Sequence, residues 1–287
     1  MIMINKCILC NSQDIVSFEA QFAPFLQERM FNGNDVETNL IHCLDCDFYF
    51  SSYRPTDEEM EKLYTGYRNS NYQKQRQKYE PLYTEKFNNS LSDYNQERYI
   101  AIERFLDKHI DPQEIINVLD YGGDRGQYIP KKYFNRFVYD ISNTVTEVNV
   151  KNITKKDLLS VHWNLIMCCH VLEHLSDPNA LVYELEKMLP VGSFLYVEVP
   201  FDKNSDFLTE NYWAGIHEHI NFFRLKTISE LFKSKKEFSI IDTMQDPPQS
   251  GSPIRILVKK HSNIADNQII FLLKIKPKRK RYSKSNC

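Results

Sequence analysis

From about residue 96 to residue 262 the chain alternates short apolar runs with amphipathic stretches, and this pattern restricts the fold more than any other feature of the sequence. Apolar runs of four to eight residues bounded by turn signals read as buried strands, and apolar positions three and four apart read as one face of a helix. The stretch QERYIAIERFLDKHI places Ile100, Ile102, Phe105, Leu106 and Ile110 mostly on one face. Strand patterns follow at IINVLDY, RFVYD, a short apolar VNV, NLIMCC and SFLYVEVP. A helix is signposted between the last two: Asp177 suits a cap, Pro178 suits a first turn, and Leu181, Val182, Leu185, Met188 and Leu189 form an apolar stripe. The helical segment TISELFKS precedes the runs FSIIDTM and PIRILVK, which flank the turn-rich DPPQSGS and read as a hairpin. The expectation is a doubly wound α/β domain, a mostly parallel sheet closed by an antiparallel hairpin.

The N-terminal region obeys a different rule. Cys7 and Cys10 form one CxxC pair and Cys43 and Cys46 a second, the spacing with which two knuckles supply four thiolates to a tetrahedral Zn²⁺. Asn11 and Asp47 follow the pairs, and both residue types tolerate the left-handed backbone such knuckles need. The 32 intervening residues exceed the usual span of about 15 to 20, but loop-closure entropy grows only logarithmically. A four-cysteine site leaves no coordination position open, so this zinc is expected to be structural. The domain boundaries read from these patterns are 1–55 for a zinc ribbon, 56–95 for a Tyr- and charge-rich connector, 96–262 for the α/β domain and 263–287 for a basic tail.

Composition excludes several classes. The 36 Lys and Arg against 38 Asp and Glu lack the positive excess that binding a polyanion requires. The longest apolar run, Ile269 to Leu273, is far short of the roughly 20 residues of a membrane-spanning helix. The first residues have neither the apolar length nor the cleavage site of an export signal, so a cytoplasmic location is expected and the cysteines read as ligands or buried thiols rather than disulfides. The tail from Lys274 to Lys284 carries seven cations and no acid, leaving about −9 on the rest of the chain. Such an arm is suited to an anionic surface, and a solvated end is the plainer reading.

In open α/β sheets ligands sit beyond the carboxyl ends of the strands, which directs attention to VLDYGGDRG. Gly122, Gly123 and Gly126 permit close backbone approach, with a helix N-terminus expected behind them. Asp140 lies about 20 residues on, where an acidic side chain reaches a ribose diol. The absence of GxGxxG argues against a dinucleotide and favours a nucleoside without a pyrophosphate.

At this point the chain resembles the class I S-adenosylmethionine-dependent methyltransferases, in VLDYGGDRG, in VYDIS and in CCHVLEHLSDP. The CxxC pairs followed by YRPTDEEMEKLYTGYR resemble the zinc-ribbon leader of methyltransferases from polysaccharide and sugar-modification pathways, and the likeness covers about residues 5 to 260. It implies a Rossmann-like sheet, S-adenosylmethionine as cofactor, Asp120, Gly122 and Gly126 at its methionine and ribose end, Asp140 on the ribose hydroxyls, and Cys169 and His170 beside it. It also implies a small-molecule acceptor, a sugar or nucleotide-sugar. One departure is Asp124, which stands where the family has its middle glycine; a carboxylate turned outward there would be tolerated, one turned inward would narrow the pocket.

Methyl transfer to a hydroxyl or carbon acid needs a base near neutral pKa, and HEHINFF offers His217, Glu218 and His219. Similar segments in sugar carbon-methyltransferases imply a histidine base, with His219 first. The plainer reading turns His217 and His219 together into a satisfied polar pocket. Glu173 and His174 read as structural, and the connector's tyrosines and cations read as a solvated link, with a roof over the acceptor site as the alternative. Two further functions stand beside methyl transfer: a non-catalytic binding protein on the same fold, motivated by Asp124, and a zinc-ribbon nucleic-acid-binding protein, motivated by the cysteines and the tail.

Overall fold

Strand β4 (Asn117–Tyr121) is, in chain order, the first strand of a seven-stranded sheet, and the strands that follow are added on both sides of it. From β4 the chain moves outward to β5 (Asn135–Tyr139) and β6 (Val150–Asn152), then returns to pair β7 (Leu165–Cys169) on the other side of β4. β8 (Phe194–Phe201) continues the parallel arrangement. β11 (Phe238–Gln245) and β12 (Ser252–Lys260) close the sheet as an antiparallel hairpin, with β12 next to β8, so the order is β11-β12-β8-β7-β4-β5-β6. The computed structural model describes residues 4–91, 94–142, 144–202, 215–246 and 252–262. Among them no helix is long and apolar enough to cross a membrane.

The sheet is covered on both faces. α5 (Gln96–Asp107) buries Ile102, Phe105 and Leu106 against Val118, Val138, Leu165, Met167, Tyr196 and Leu257. α6 (Pro178–Met188) and α7 (Leu225–Lys233) cover the other face with Leu181, Val182, Leu185, Ile228, Leu231 and Phe232. β7 is buried at every position, as an apolar run sandwiched between two helical layers must be. α6 begins as its sequence predicts, with Asp177 accepting the Ala180 amide at 3.0 Å and Pro178 in the first turn.

One expectation fails. No helix follows the glycine turn: residues 122–134 run from β4 to β5 as successive turns. Gly122, Asp124 and Gly126 all adopt positive φ within five residues and Pro130 follows, which leaves no uninterrupted stretch for a helical nucleus.

The N-terminal chain forms a second sheet. β1 (Ile15–Phe22), β2 (Glu37–Cys43) and β3 (Phe48–Ser51) pair antiparallel, with α1 (Pro24–Phe31) between β1 and β2. Two short strands from the distant segment 215–222 cover both edges: β9 (Gly215–Ile216) pairs with β1 and β10 (Asn221–Phe222) with β3. The sheet around the cysteines is therefore built from residues on both sides of the α/β domain's central strands. α2 (Asp57–Tyr64), α3 (Ser70–Gln77) and α4 (Glu85–Ser90) follow β3. They are not a solvated link, because Tyr72 and Tyr83 are buried in an aromatic cluster with Phe22, Phe25 and Ile216.

Candidate functional site

The four N-terminal cysteines converge. Cys7 Sγ lies 3.7 Å from Cys46 Sγ and Cys10 Sγ lies 3.6 Å from Cys43 Sγ, close to the edge of about 3.8 Å set by tetrahedral Zn–S bonds of about 2.3 Å. All four sulfurs lie within 4.8 Å of one another. Each knuckle closes as its sequence suggests: Asn11 and Asp47 have φ of 63° and 58°, and their amides donate to the carbonyls of Cys7 and Cys43. The Cys46 thiol beside it lowers Cys7 to about 5 against the opposing effect of burial, whereas Cys10 is raised, by burial first. The second knuckle also receives α7, whose Thr227 hydroxyl lies 2.9 Å from the carbonyls of both Cys46 and Asp47. Asn179 at the start of α6 donates to the Ile8 carbonyl in the first knuckle. A surface cleft of about 510 Å³ lies between the knuckles and α7, lined by Cys10, Asn179 and Lys233 among others, and it includes none of the residues at the strand ends described next.

The switch in strand order falls between β4 and β7, and the chemistry-bearing residues gather beyond it. Asp120 is buried near the end of β4, and its Oδ1 has no hydrogen-bond partner among the described residues. Burial pushes it up to about 7; Arg98 opposes this, while Asp140, Glu198 and Asp124 add to it. A Cβ at Gly123 would stand 2.1 Å from the Asp120 carboxyl carbon, and Gly122 holds φ +74° with its amide on the Tyr139 carbonyl. Asp140, directly after β5, accepts the Asp124 amide at 2.9 Å and the Ser142 amide at 2.7 Å. Asp124 adopts φ +53°, and its half-exposed carboxylate lies 3.8 Å from the Arg125 guanidinium. An acidic residue is thereby accommodated where a glycine was expected, because Asp is among the few side chains that tolerate this backbone.

Next to Asp120 lies a buried charge network that the sequence did not reveal. Glu198 on β8 is fully buried and receives Arg98 at 2.7 Å and His170 at 3.1 Å on Oε1, with Arg255 at 3.0 Å and Tyr196 at 2.9 Å on Oε2. Burial opposes its charge, but Arg98, His170 and Arg255 hold it far below the ordinary range. His170, at φ 56° just past β7, is raised to about 9: burial disfavours its proton, and the neighbouring carboxylates of Glu173 and Glu198 outweigh that. His170 Nδ1 forms an ion pair with Glu173 Oε1 at 3.2 Å, and neither Glu173 oxygen has a hydrogen-bond partner among the described residues. Cys169 is buried and its thiol is pushed well up by that burial, which keeps it neutral beside the strand end.

The segment 217–220 is held between β9 and β10, and its three polar side chains go to different partners. His217 pairs with Glu80 at 2.7 Å and stacks on Phe25. Glu218 accepts the Tyr72 hydroxyl and faces Arg76 at 3.3 Å; burial opposes its charge, yet the whole is lowered to about 2 by His217, Arg76 and Tyr72. His219 alone turns toward Glu173 and His174, with its ring 4.9 Å from that of His174 and Nδ1 3.4 Å from Asp202. His174 Nδ1 meets the Glu218 carbonyl at 2.9 Å, and burial lowers its pKa. The predicted base thus joins two residues read as structural, while its neighbours anchor the connector.

Arg54 fixes this arrangement and had no signal beyond its place in YRPT. Its guanidinium donates to the carbonyls of Ser176 at 2.9 Å and Leu175 at 2.6 Å and to Asn221 Oδ1 at 2.8 Å. Asn221 in turn donates to the carbonyls of Leu172 and Leu175. The turn carrying Glu173 and His174 is therefore clamped by groups from β10 and from the end of the N-terminal sheet.

Comparison with known proteins gives the following. Residues 92–239 match the family described as "Methyltransferase domain". No curated protein matches the sequence. Among solved structures, magnesium protoporphyrin IX methyltransferase from Synechocystis PCC 6803 with bound SAH is 13% identical, covering 57% of this chain and 83% of its own at a TM-score of 0.44. Coclaurine N-methyltransferase bound to N-methylheliamine and SAH is 11% identical, covering 59% and 72% at 0.44. An S-adenosylmethionine dependent methyltransferase from Mesorhizobium loti is 11% identical, covering 55% and 96% at 0.38. With the family match spanning more than half of its residues, this chain belongs to the methyltransferase-domain family.

Proposed function

We propose that the protein transfers a methyl group from S-adenosylmethionine to a small acceptor, a sugar or nucleotide-sugar of glycan biosynthesis. The observation that carries the reading is the cradle at the switch point: a buried Asp120 with an unpartnered oxygen beside a turn whose Gly123 leaves no room for a Cβ. An anionic pocket of this kind suits the cationic amino group of the cofactor's methionine, and Gly122, Gly123 and Gly126 let its body approach the backbone. Asp140 keeps lone pairs for the ribose hydroxyls after accepting two loop amides. Cys169 and His170 flank the cofactor from β7, and the Glu198 network keeps His170 in place.

When bound, the cofactor supplies a methyl already activated on a sulfonium sulfur, so the chain's task is alignment and proton removal. The acceptor lies against Glu173, His174 and His219, and His219 handles its proton. His217 and Glu218 position that residue by tying its segment to α3, and residues 56–95 roof the acceptor. The four cysteines hold a structural Zn²⁺ in the 1–55 region, the 96–262 region carries the chemistry, and the cytoplasm is the compartment. The basic tail, with its role on an anionic surface, lies outside the described residues. The outward Asp124 speaks against a fold that has lost its cofactor.

Calorimetric titration with S-adenosylmethionine and S-adenosylhomocysteine tests the reading. Micromolar binding of both, lost in Asp140→Ala, is the expected result, and absence of binding by a folded, zinc-loaded protein would refute it. Nucleotide-sugar acceptors are then screened by methyl incorporation, where His219→Ala should abolish transfer without changing cofactor affinity.

A further inference from the structure

Glu173 and His174 lie in a single short turn after β7, and His219 reaches them from the segment between β9 and β10. One donor atom from each lies within 4.8 Å of the other two. Glu173 is fully buried, and neither of its oxygens accepts a hydrogen bond from any described residue. His170 faces Oε1 at 3.2 Å as an ion pair, while Oε2 has no partner among the described residues, and a carboxylate at such depth needs its remaining lone pairs satisfied.

The histidine tautomers sharpen the case. His174 Nδ1 faces the Glu218 carbonyl, which can only accept, so Nδ1 carries a proton. In the neutral ring, Nε2 then presents its lone pair, and that atom stands 3.8 Å from Glu173 Oε1. Two acceptors therefore face each other across a buried gap, an arrangement that suits a cation between them in addition to the His170 ion pair on the same oxygen. His219 has the same build: Asp202 occupies Nδ1, and the other nitrogen is left for a ligand. An oxygen partner on one ring nitrogen is the arrangement that orients an imidazole for metal binding through the other.

We propose that Glu173, His174 and His219 form a site for a first-row divalent transition cation, separate from the four-cysteine cluster. Two imidazoles and a carboxylate match Zn²⁺, Co²⁺, Fe²⁺ or Mn²⁺, whereas Mg²⁺ and Ca²⁺ favour oxygen alone. Bonds of about 2.0–2.2 Å require the donor atoms to close to about 3–4 Å, a small side-chain movement. Three protein ligands leave positions open, and one of these receives the acceptor's oxygen. A coordinated hydroxyl has a lowered pKa and releases its proton to solvent, so His219 serves proton removal as a ligand. This last role rests on the methyl-transfer reading; cation binding does not.

The test uses full-length protein with one equivalent of Zn²⁺ in the cysteine cluster, confirmed by elemental analysis, to which Co²⁺ is added. One further equivalent should bind, with visible d–d absorption and without the intense sulfur-to-cobalt charge-transfer band. His219→Gln and Glu173→Gln should each weaken it at least tenfold. No saturable second equivalent, or Co²⁺ affinity unchanged in His219→Gln, overturns the proposal. Because the His219 ring is partly exposed, that variant decides the matter even if Glu173→Gln fails to fold. Titration of the same samples with S-adenosylmethionine reports separately on the cofactor site, so failure of one reading is distinguishable from failure of the other.

Discussion

Asp120, proposed above to face the cofactor, is destabilising when ionised in its buried position. Its carboxyl is raised from 3.8 to about 7. The stability it contributes is therefore complete below about pH 4 and is lost as pH rises through 7, a swing of up to about 4 kcal/mol. Asp120→Asn, which never ionises, should lose less stability than the wild type between pH 5 and 8 in urea unfolding, while its affinity for S-adenosylmethionine falls at least tenfold. Equal pH dependence in the two proteins would show that Asp120 is not strained by burial. Glu198 has the opposite sign. Held below its usual range by Arg98, His170 and Arg255, it contributes stability above about pH 4.5 that is lost as pH falls. Glu198→Gln removes the carboxylate shared by Arg98, His170 and Arg255, of which Arg255 retains Asp246, and should cost about 3 kcal/mol, measured by denaturant unfolding at pH 7.

At the scale of elements, the segment 217–220 depends on the helices that sequence patterning treated as a connector. The Tyr72 hydroxyl on α3 donates to Glu218, one residue before the proposed proton-handling His219. Tyr72→Phe removes one partner from a buried carboxylate, a loss of about 1–3 kcal/mol. The same change should lower kcat or raise KM for the acceptor while leaving the S-adenosylmethionine Kd unchanged. A purely structural role would reduce stability alone. α2 is stabilised at its start by a reciprocal cap: Thr56 Oγ1 accepts the Glu59 amide at 3.3 Å and Glu59 Oε2 accepts the Thr56 amide at 2.7 Å. Thr56→Ala should therefore cost about 1 kcal/mol in thermal unfolding.

For the whole molecule, the cysteine cluster is part of the main core rather than an appendage. Cys7, Cys43 and Cys46 are buried in the same apolar cluster as Leu119, Ile166 and Val197 of the seven-stranded sheet. Phe48 and Phe50 of β3 join it, with Phe48 against Phe223 at a centroid distance of 5.2 Å. Cys43→Ser, which removes one ligand of the proposed Zn²⁺, should consequently lower the Tm of one cooperative transition by circular dichroism, since a continuous core unfolds together. Two separated transitions would show instead that residues 1–55 fold on their own.

Much of this architecture is legible without coordinates. The strand runs, the start of α6 at Asp177 and Pro178, the closing hairpin and the positive φ at Asn11 and Asp47 all follow from local periodicity and backbone preference, which act over a few residues. That the glycine turn and Asp140 lie side by side was readable for the same reason, because one turn and one strand end hold them. The missing helix at 122–134 was an error of that same local kind, with Pro130 in plain view. Tertiary structure decided the rest. Glu198, Arg98 and Arg255 lie up to 157 residues apart, and their charges become meaningful only when a shared low-dielectric interior removes water from all three. Arg54 reaches the turn after β7, and His219 meets Glu173 and His174, because β9 and β10 bring a distant segment back to the N-terminal sheet. Periodicity carries the burial of each element, but which buried charges face one another is set by the packing of the complete chain.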